Sequence, residues 1–137
     1  MINVVGAVLL KKNSIILAKR SNNLKNFPNL FEFPGGKIEE GETPKEALKR
    51  ELFEELEINV NIVDIHEFLG NQHSHTIEKS GKVIHLTLFI VKKWQGNIKI
   101  QKHIHSNLAY VDIKNLHTFT GFIPGDAEFI PAIKIAL

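Results

Sequence analysis

The sequence predicts an α+β fold in which strands and helices mix without regular alternation. Three observations carry that expectation. Apolar runs of strand composition recur along the chain, from "VVGAVLL" to "KVIHLTLFIV". One segment places Leu48, Leu52 and Leu56 four residues apart, the stripe of an amphipathic helix. Finally, 137 residues with 43% hydrophobic content suffice for one globular domain, spanning 1–137.

The elements follow in order. "VVGAVLLKKNSIILAKR" reads as two apolar strands around a Lys-Lys-Asn-Ser turn, and "SNNLKNFPN" as loop. "LFEF" is a short strand stopped at Pro34-Gly35-Gly36, where backbone can approach a ligand closely. The next helix has a marked start. Thr43 suits the N-cap, Pro44 the first helical position, and Glu46 completes a Thr-x-x-Glu capping box. "INVNIVDIHEFLG" is expected as a strand of mixed pattern. "KVIHLTLFIVKKW" is the best-defined strand and ends at a Gln95-Gly96-Asn97 turn; "LAYVDI" is a further short one. "DAEFIPAIKIAL" predicts a C-terminal helix, with Pro131 tolerable only near its first turn.

Composition narrows the function classes. There is no cysteine, which excludes disulfides, thiolate catalysis and thiolate zinc sites. The longest apolar run, Val4 to Leu10, is too short to span a membrane. Lys11 and Lys12 follow the first apolar segment instead of preceding it, so the N-terminus does not read as a signal peptide, and a cytoplasmic location is expected. The charge is uneven. Residues 39–57 hold eight acids against Lys45, Lys49 and Arg50, a local charge of −5, while the remainder holds fourteen Lys plus Arg against seven acids. An acidic island in a basic field suits a divalent cation and a polyanionic substrate; the plainer alternative is an exposed acidic helix.

On a helix, Glu51, Glu54 and Glu55 fall within roughly a 100° arc beside the leucine stripe. Like charges so placed repel, and the more so where water is excluded. A hard cation such as Mg²⁺ or Mn²⁺ removes that penalty, since carboxylate oxygens, carbonyls and water are the ligands it prefers. Arg50 can orient Glu54, four residues on, by a charge-assisted hydrogen bond.

These residues also carry a resemblance. Gly36, five residues, Glu42, seven residues and then "RELFEELEI" resemble the Nudix box, G-x5-E-x7-R-E-U-x-E-E-x-G-U with U a bulky aliphatic residue, and eight of its nine specified positions match. "FEFPGGKIEEGETP" is similar to the version found in MutT-type Nudix hydrolases, which cleave nucleoside triphosphates, oxidised guanine nucleotides among them. The resemblance implies a Nudix fold, a mixed β-sheet core sandwiched between helices. It implies hydrolysis of a nucleoside triphosphate, 8-oxo-dGTP or a related nucleotide, to a monophosphate and pyrophosphate with Mg²⁺ or Mn²⁺. CTP, a dinucleoside polyphosphate, or nucleotide binding without catalysis are the alternatives. No nucleic-acid or membrane partner is implied; the protein would be a monomer or homodimer.

The same resemblance assigns residues. Glu51 and Glu55 are the first metal ligands, Glu54 a third, and the Gly35 carbonyl a backbone ligand. Glu51 doubles as base or base-orienting residue, Glu54 and Arg50 join the catalytic group, and Glu42 pairs with Arg50 to hold the loop on the helix. Glu51→Gln and Glu54→Gln are each expected to cut turnover at least about a hundredfold. Gly36 and Lys37 lie at the substrate. Arg20 matches a basic residue contacting phosphate or sugar, against a solvated surface arginine. Phe33 lines the base pocket or belongs to the core. Asp126 matches the polar residue that reads the base, against an N-cap of the last helix. Two departures stand out. Glu57 occupies the box glycine's place, with a helix-exit cost or an altered exit expected. Ile104 stands where relatives carry a glutamate outside the box, which leaves the box glutamates, or His103 or His105, as base. The pairs His73/His75 and His103/His105 would each share a strand face; surface or pocket-rim positions are expected over a zinc site. Trp94 is expected in packing, and the Lys-Lys pairs in solvated turns.

Overall fold

The computed structural model describes residues 2–68, 74–79 and 81–137. Among them, eight strands join one mixed sheet: β1 (Ile2–Lys11), β2 (Ser14–Arg20), β3 (Phe31–Glu32), β4 (Gly35–Lys37), β5 (Ile65–His66), β6 (Ser74–Lys79), β7 (Lys82–Val91) and β8 (His105–Asp112). Helices α1 (Pro44–Leu56) and α2 (Ile130–Ala136) cover it.

β1 and β2 form the expected hairpin, with Lys11 opposite Ser14. β1 also runs parallel to β7 from Ile2↔Ile84 to Leu9↔Val91; the other pairings are antiparallel. Beyond the hairpin β1 and β2 part. β4 takes the freed edge of β1 at Val4–Gly6, and β3 takes that of β2 at Ala18–Lys19. The split in the sheet is where the site forms.

Alternation along the strands builds two cores. Val5, Ala7, Leu9, Ile16, Phe89 and Val91 face α1, where Leu48, Leu52 and Leu56 are fully buried. Val8, Ile15, Leu17, Leu86, Leu88 and Ile90 face the other way, against Leu116, Phe129 and Ile133. The sheet thus lies between helices, as an α+β fold of this kind requires. No helix among the described residues is long and apolar enough to cross a membrane.

α1 begins as its sequence dictates. Thr43 Oγ1 accepts from Glu46 N at 3.2 Å, and Glu46 Oε1 accepts from Thr43 N at 2.9 Å. Its exit is left-handed: Glu57 has φ 57° and donates its N–H to Phe53 O, so the glutamate takes the glycine's conformation. Trp94 packs half-buried on the α1 core, as expected.

Several elements depart from expectation. "INVNIVDIHEFLG" is not one strand: Asn59 bridges Gln95, Ile62–Asp64 turn as a 3₁₀ helix, and only Ile65–His66 join the sheet. Its polar residues break any period of two, so short local turns win. β4 and β6 were not anticipated; Gly35-Gly36 and "SHTIEK" lack the apolar alternation that marks strands. The last helix starts as a 3₁₀ turn, Asp126–Phe129, and becomes α-helical at Ile130, with Pro131 in its first turn as required.

Candidate active site

Two glycines decide how close α1 comes to the sheet. A Cβ on Gly35 would lie 1.9 Å from Val5 O, because β4 presses on β1. A Cβ on Gly36 would lie 2.4 Å from Glu51 Cδ, so only glycine lets that carboxyl reach the strand. Glu55, one turn further on, accepts from Gly35 N at 3.2 Å. β4 and the last turns of α1 thereby clasp two carboxylates between them.

Arg50 organises the opposite flank. Its Nε and Nη2 donate to the two oxygens of Glu42 at 2.7 and 2.9 Å, a bidentate pair. Nη1 reaches Glu51 at 2.9 Å and Glu54 at 3.2 Å, and Nη2 also donates to the Lys37 carbonyl at 3.0 Å. The Arg50 guanidinium, with help from Glu39 N–H, holds the Glu42 carboxyl down at about 2; Glu42 in turn raises Arg50. The expected Glu42–Arg50 clasp of loop on helix is present.

The acidic flank is not uniform. The Glu51 side chain is 16% exposed, whereas that of Glu54 is 56% exposed and turned to Arg50. Burial raises Glu51 above the usual carboxylate range, against the pull of Arg50. Burial first, then the charges of Glu32 and Glu51, push Glu55 up to about 8. The donor set fits a hard divalent cation: Glu51 and Glu55 offer carboxylate oxygens whose crowding a cation would relieve. Among the described residues no three His, Asp or Glu side chains converge on one point. Glu54, more exposed, meets Glu51 through the shared Arg50 Nη1 and adds its charge to the causes that raise Glu51.

A cleft of about 210 Å³ opens beside them, lined by Arg20, Glu32, Phe33, Gly35, Gly36, Lys37, Glu55, Ile104 and Asp126 with apolar Val4, Ile84, Leu86 and Ile123 among others. A second hollow of about 280 Å³ shares Arg20, Glu32, Lys37, Val4, Ile84 and Ile123. Phe33, 5% exposed, is both cleft wall and core. Lys37 is exposed at the rim. The expected glutamate position, Ile104, is an apolar part of the wall.

The chain after β8 closes the far side. Phe31 N donates to Gly121 O at 2.7 Å and Ile123 N to Phe31 O at 2.9 Å, laying this segment along β3. Asp126, 2% exposed, accepts from Phe33 N at 3.3 Å. It is not at an N-cap position: Gly125 stands at the N-cap of the 3₁₀ turn and Phe129 at that of α2. The left-handed φ of Gly125, 95°, turns Asp126 in toward β3 instead.

Arg20 is no free surface arginine. Nη1 pairs with Glu32 Oε1 at 3.1 Å, and Nε donates to Asn26 O at 3.0 Å. Glu32 Oε2 meets His105 Nε2 at 2.9 Å. Glu32 carries a single signal in the sequence, a lone charge between Phe31 and Phe33. The His103/His105 pair does not share one environment. His103 is exposed in the turn before β8, while His105 is 0% exposed, the reverse of a rim position. His73 lies outside the described residues, and of His75 only the backbone, in β6, is described.

Comparison with known proteins shows the family. The family model of the NUDIX domain matches residues 2–133. The CTP pyrophosphohydrolase of Escherichia coli K12 is 37% identical over 103 residues, 75% of this chain and 71% of the relative. An 8-oxo-dGTP diphosphatase of Buchnera aphidicola (subsp. Schizaphis graminum) is 34% identical over 96 residues, 70% of this chain and 67% of the relative. The solution structure of the E. coli ORF135 protein superposes with a TM-score of 0.79 at 31% identity, covering 98% of this chain and 89% of that one. A MutT protein from Methanosarcina mazei Go1 has a TM-score of 0.81 over 95% of this chain and 90% of its own; at 21% identity it shows the fold alone.

Proposed function

The chain belongs to the NUDIX family as a hydrolase of nucleotide substrates, and on that premise we propose that it cleaves a nucleoside triphosphate to a monophosphate and pyrophosphate. One observation carries the reading. A partly buried carboxylate pair, Glu51 and Glu55, sits beside an apolar cleft whose lining also holds two further carboxylates, Glu32, close enough to raise Glu55, and Asp126. The first pair suits a cation and phosphates; the second suits a base with N–H donors.

In this reading Glu51 and Glu55, with the Gly35 carbonyl, hold Mg²⁺ or Mn²⁺, and Glu54 is an outer member of the group. When bound, such an ion neutralises phosphate oxygens, activates water and steadies the leaving group. The protein's own groups do the rest. Glu51, raised by burial, accepts or orients the proton of the attacking water. Arg50 keeps Glu51 in place through its 2.9 Å bond while Glu42 anchors the guanidinium. Gly36 and Lys37 face the phosphates, Phe33 and the apolar wall take the base, and Arg20 and Asp126 meet its polar edges or the sugar. Residues 1–137 act as one cytoplasmic domain, monomer or homodimer, without nucleic acid.

A carboxylate wall favours bases bearing amines, a class that includes CTP and 8-oxo-dGTP, the substrates named for the two relatives. The test is a panel of 8-oxo-dGTP, dGTP, CTP and a dinucleoside polyphosphate, incubated with Mg²⁺ or Mn²⁺ and assayed for pyrophosphate and monophosphate. Preference for 8-oxo-dGTP supports nucleotide cleansing, and preference for CTP places the chain with the first relative. Inertness across the panel would overturn the hydrolytic reading in favour of a binding module.

A further inference from the structure

His105 is the most deeply buried titratable side chain near the cleft. Three strands bring it there. β3 sets Glu32 opposite Ala18, β8 sets His105 opposite Arg20, and the register shifts between Lys19 and Arg20. Such an irregularity re-aims side chains next to a site. Arg20, Glu32 and His105 consequently meet although they are far apart in the chain.

The ring is poorly explained as core filler. Its Nδ1 is buried with no hydrogen-bond partner among the described residues, a penalty a leucine would not carry. What the imidazole gains is the 2.9 Å contact from Nε2 to Glu32 Oε2. The network assigns the proton to Nε2, because Glu32 accepts there and nothing donates to or accepts from Nδ1. Arg20 meanwhile holds the other oxygen, Oε1, at 3.1 Å. Both oxygens of Glu32 are therefore fixed from the protein side, and Glu32 still lines both hollows of the cleft. A carboxylate has about four lone-pair positions, so acceptor capacity remains for a ligand.

Resting on the reading that a nucleobase occupies this cleft, we infer that His105 is a positioning residue for base selection. Its Nε2–H holds the Glu32 carboxylate where it accepts from an exocyclic amine. An amine donates to a carboxylate; a carbonyl in its place sets oxygen against oxygen and leaves Glu32 unsatisfied. The cleft thereby favours cytosine over uracil, or guanine over hypoxanthine, and that preference depends on His105. Without the imidazole, Glu32 is free to follow Arg20 alone.

The experiment measures metal-free binding of two matched pairs of product monophosphates by calorimetry: CMP with UMP, and GMP with IMP. The wild type binds the amine-bearing member of at least one pair about tenfold or more tightly, as expected of a site built to hydrogen-bond that group. His105→Leu brings the ratio to within about threefold, and Glu32→Gln does the same. His105→Gln, whose side-chain amide reaches the place of Nε2, restores it; His105→Asn, too short to reach, does not. The double variant His105→Leu/Glu32→Gln loses no more selectivity than Glu32→Gln alone. With triphosphates, KM for the amine-bearing substrate rises more than kcat falls. Should His105→Leu not fold, judged by its thermal melt, the Gln and Asn variants carry the same comparison. No preference in the wild type, an undiminished preference in the variants, or an equal loss for both members of a pair without rescue by Gln would each overturn the proposal. Failure of the wild type to hydrolyse any triphosphate would overturn the proposed reaction instead, while the monophosphate ratios would still decide the role of His105.

Discussion

Glu42 and Glu55 are carboxylates at the two ends of one motif, and the fold drives them in opposite directions. Glu42 receives two hydrogen bonds from Arg50 and one from Glu39 N–H, and is held down at about 2. Glu55 receives one from Gly35 N among the described residues, and burial beside Glu32 and Glu51 pushes it up to about 8. The first is a finished ion pair that clamps loop to helix. The second has no cationic side chain bonded to it among the described residues, and the proposed cation would complete it. Paired charge reports architecture here, and unpaired charge reports chemistry.

The largest expected effect tests which glutamates belong to the unfinished end. Glu51→Gln and Glu55→Gln each lower kcat at least about a hundredfold with Mg²⁺. The resemblance implies the same loss for Glu54→Gln, yet Glu54 is mostly exposed and bonded to Arg50. Its substitution is expected to cost only about tenfold, near 1.4 kcal/mol of barrier. Steady-state rates of the three variants decide the matter; equal losses would show that Glu54 swings inward when the ion binds and would break the distinction.

The finished end is broken at Arg50. Arg50→Lys replaces a planar fork by a point charge and cannot span Glu42, Glu51 and the Lys37 carbonyl together. Chemical denaturation should show a loss of about 1.5–3 kcal/mol, the range for hydrogen bonds to charged groups. Activity falls as well, since Glu51 loses its 2.9 Å support. Unchanged stability would mean that the clamp is a surface ornament.

pH separates the two ends without breaking either. Glu55 has a folded value of about 8 against an ordinary 4.5, so between these the native state binds the extra proton. Its contribution favours folding below 4.5 and is lost as pH rises toward 8, lowering the Tm of metal-free protein across that window. Glu42 runs the other way. Its native value of about 2 lies below 4.5, so its contribution is present above 4.5 and is lost as pH falls toward 2. Melting curves should show Glu55→Gln flattening the upper window only and Glu42→Gln the lower only; added Mg²⁺ should restore the wild type at pH near 8.

How much of this was legible in the sequence follows from what is local. The capping box, the leucine stripe and the Glu42–Arg50 clasp depend on fixed spacings, and all three stand in the structure. Glu32 and His105 depend on the register of three strands, with a shift between Lys19 and Arg20 that no residue pattern announces. β4 escaped because two glycines carry no strand signal, although the crowding at Val5 O and Glu51 is what demands them. The sequence offers Asp126 two roles. Gly125 takes the N-cap, and its left-handed turn leaves the Asp126 carboxylate to β3.

The smallest effect lies at the helix exit, downstream of both carboxylates. Glu57 sits at φ 57°, ψ 32°, a conformation that costs a residue with a Cβ about 1–2 kcal/mol relative to glycine. Glycine also gains freedom in the unfolded chain, which offsets part of that relief. Glu57→Gly should therefore raise stability by less than about 1 kcal/mol, read as a small upward shift in denaturation midpoint with an unchanged m-value. Its carboxylate lies outside the cleft and Glu57 N–H already caps Phe53 O, so kcat and KM should stay at wild-type values. A drop in activity would tie the exit geometry to Glu55 two residues earlier, and the clean division between architectural and chemical carboxylates would have to be redrawn there.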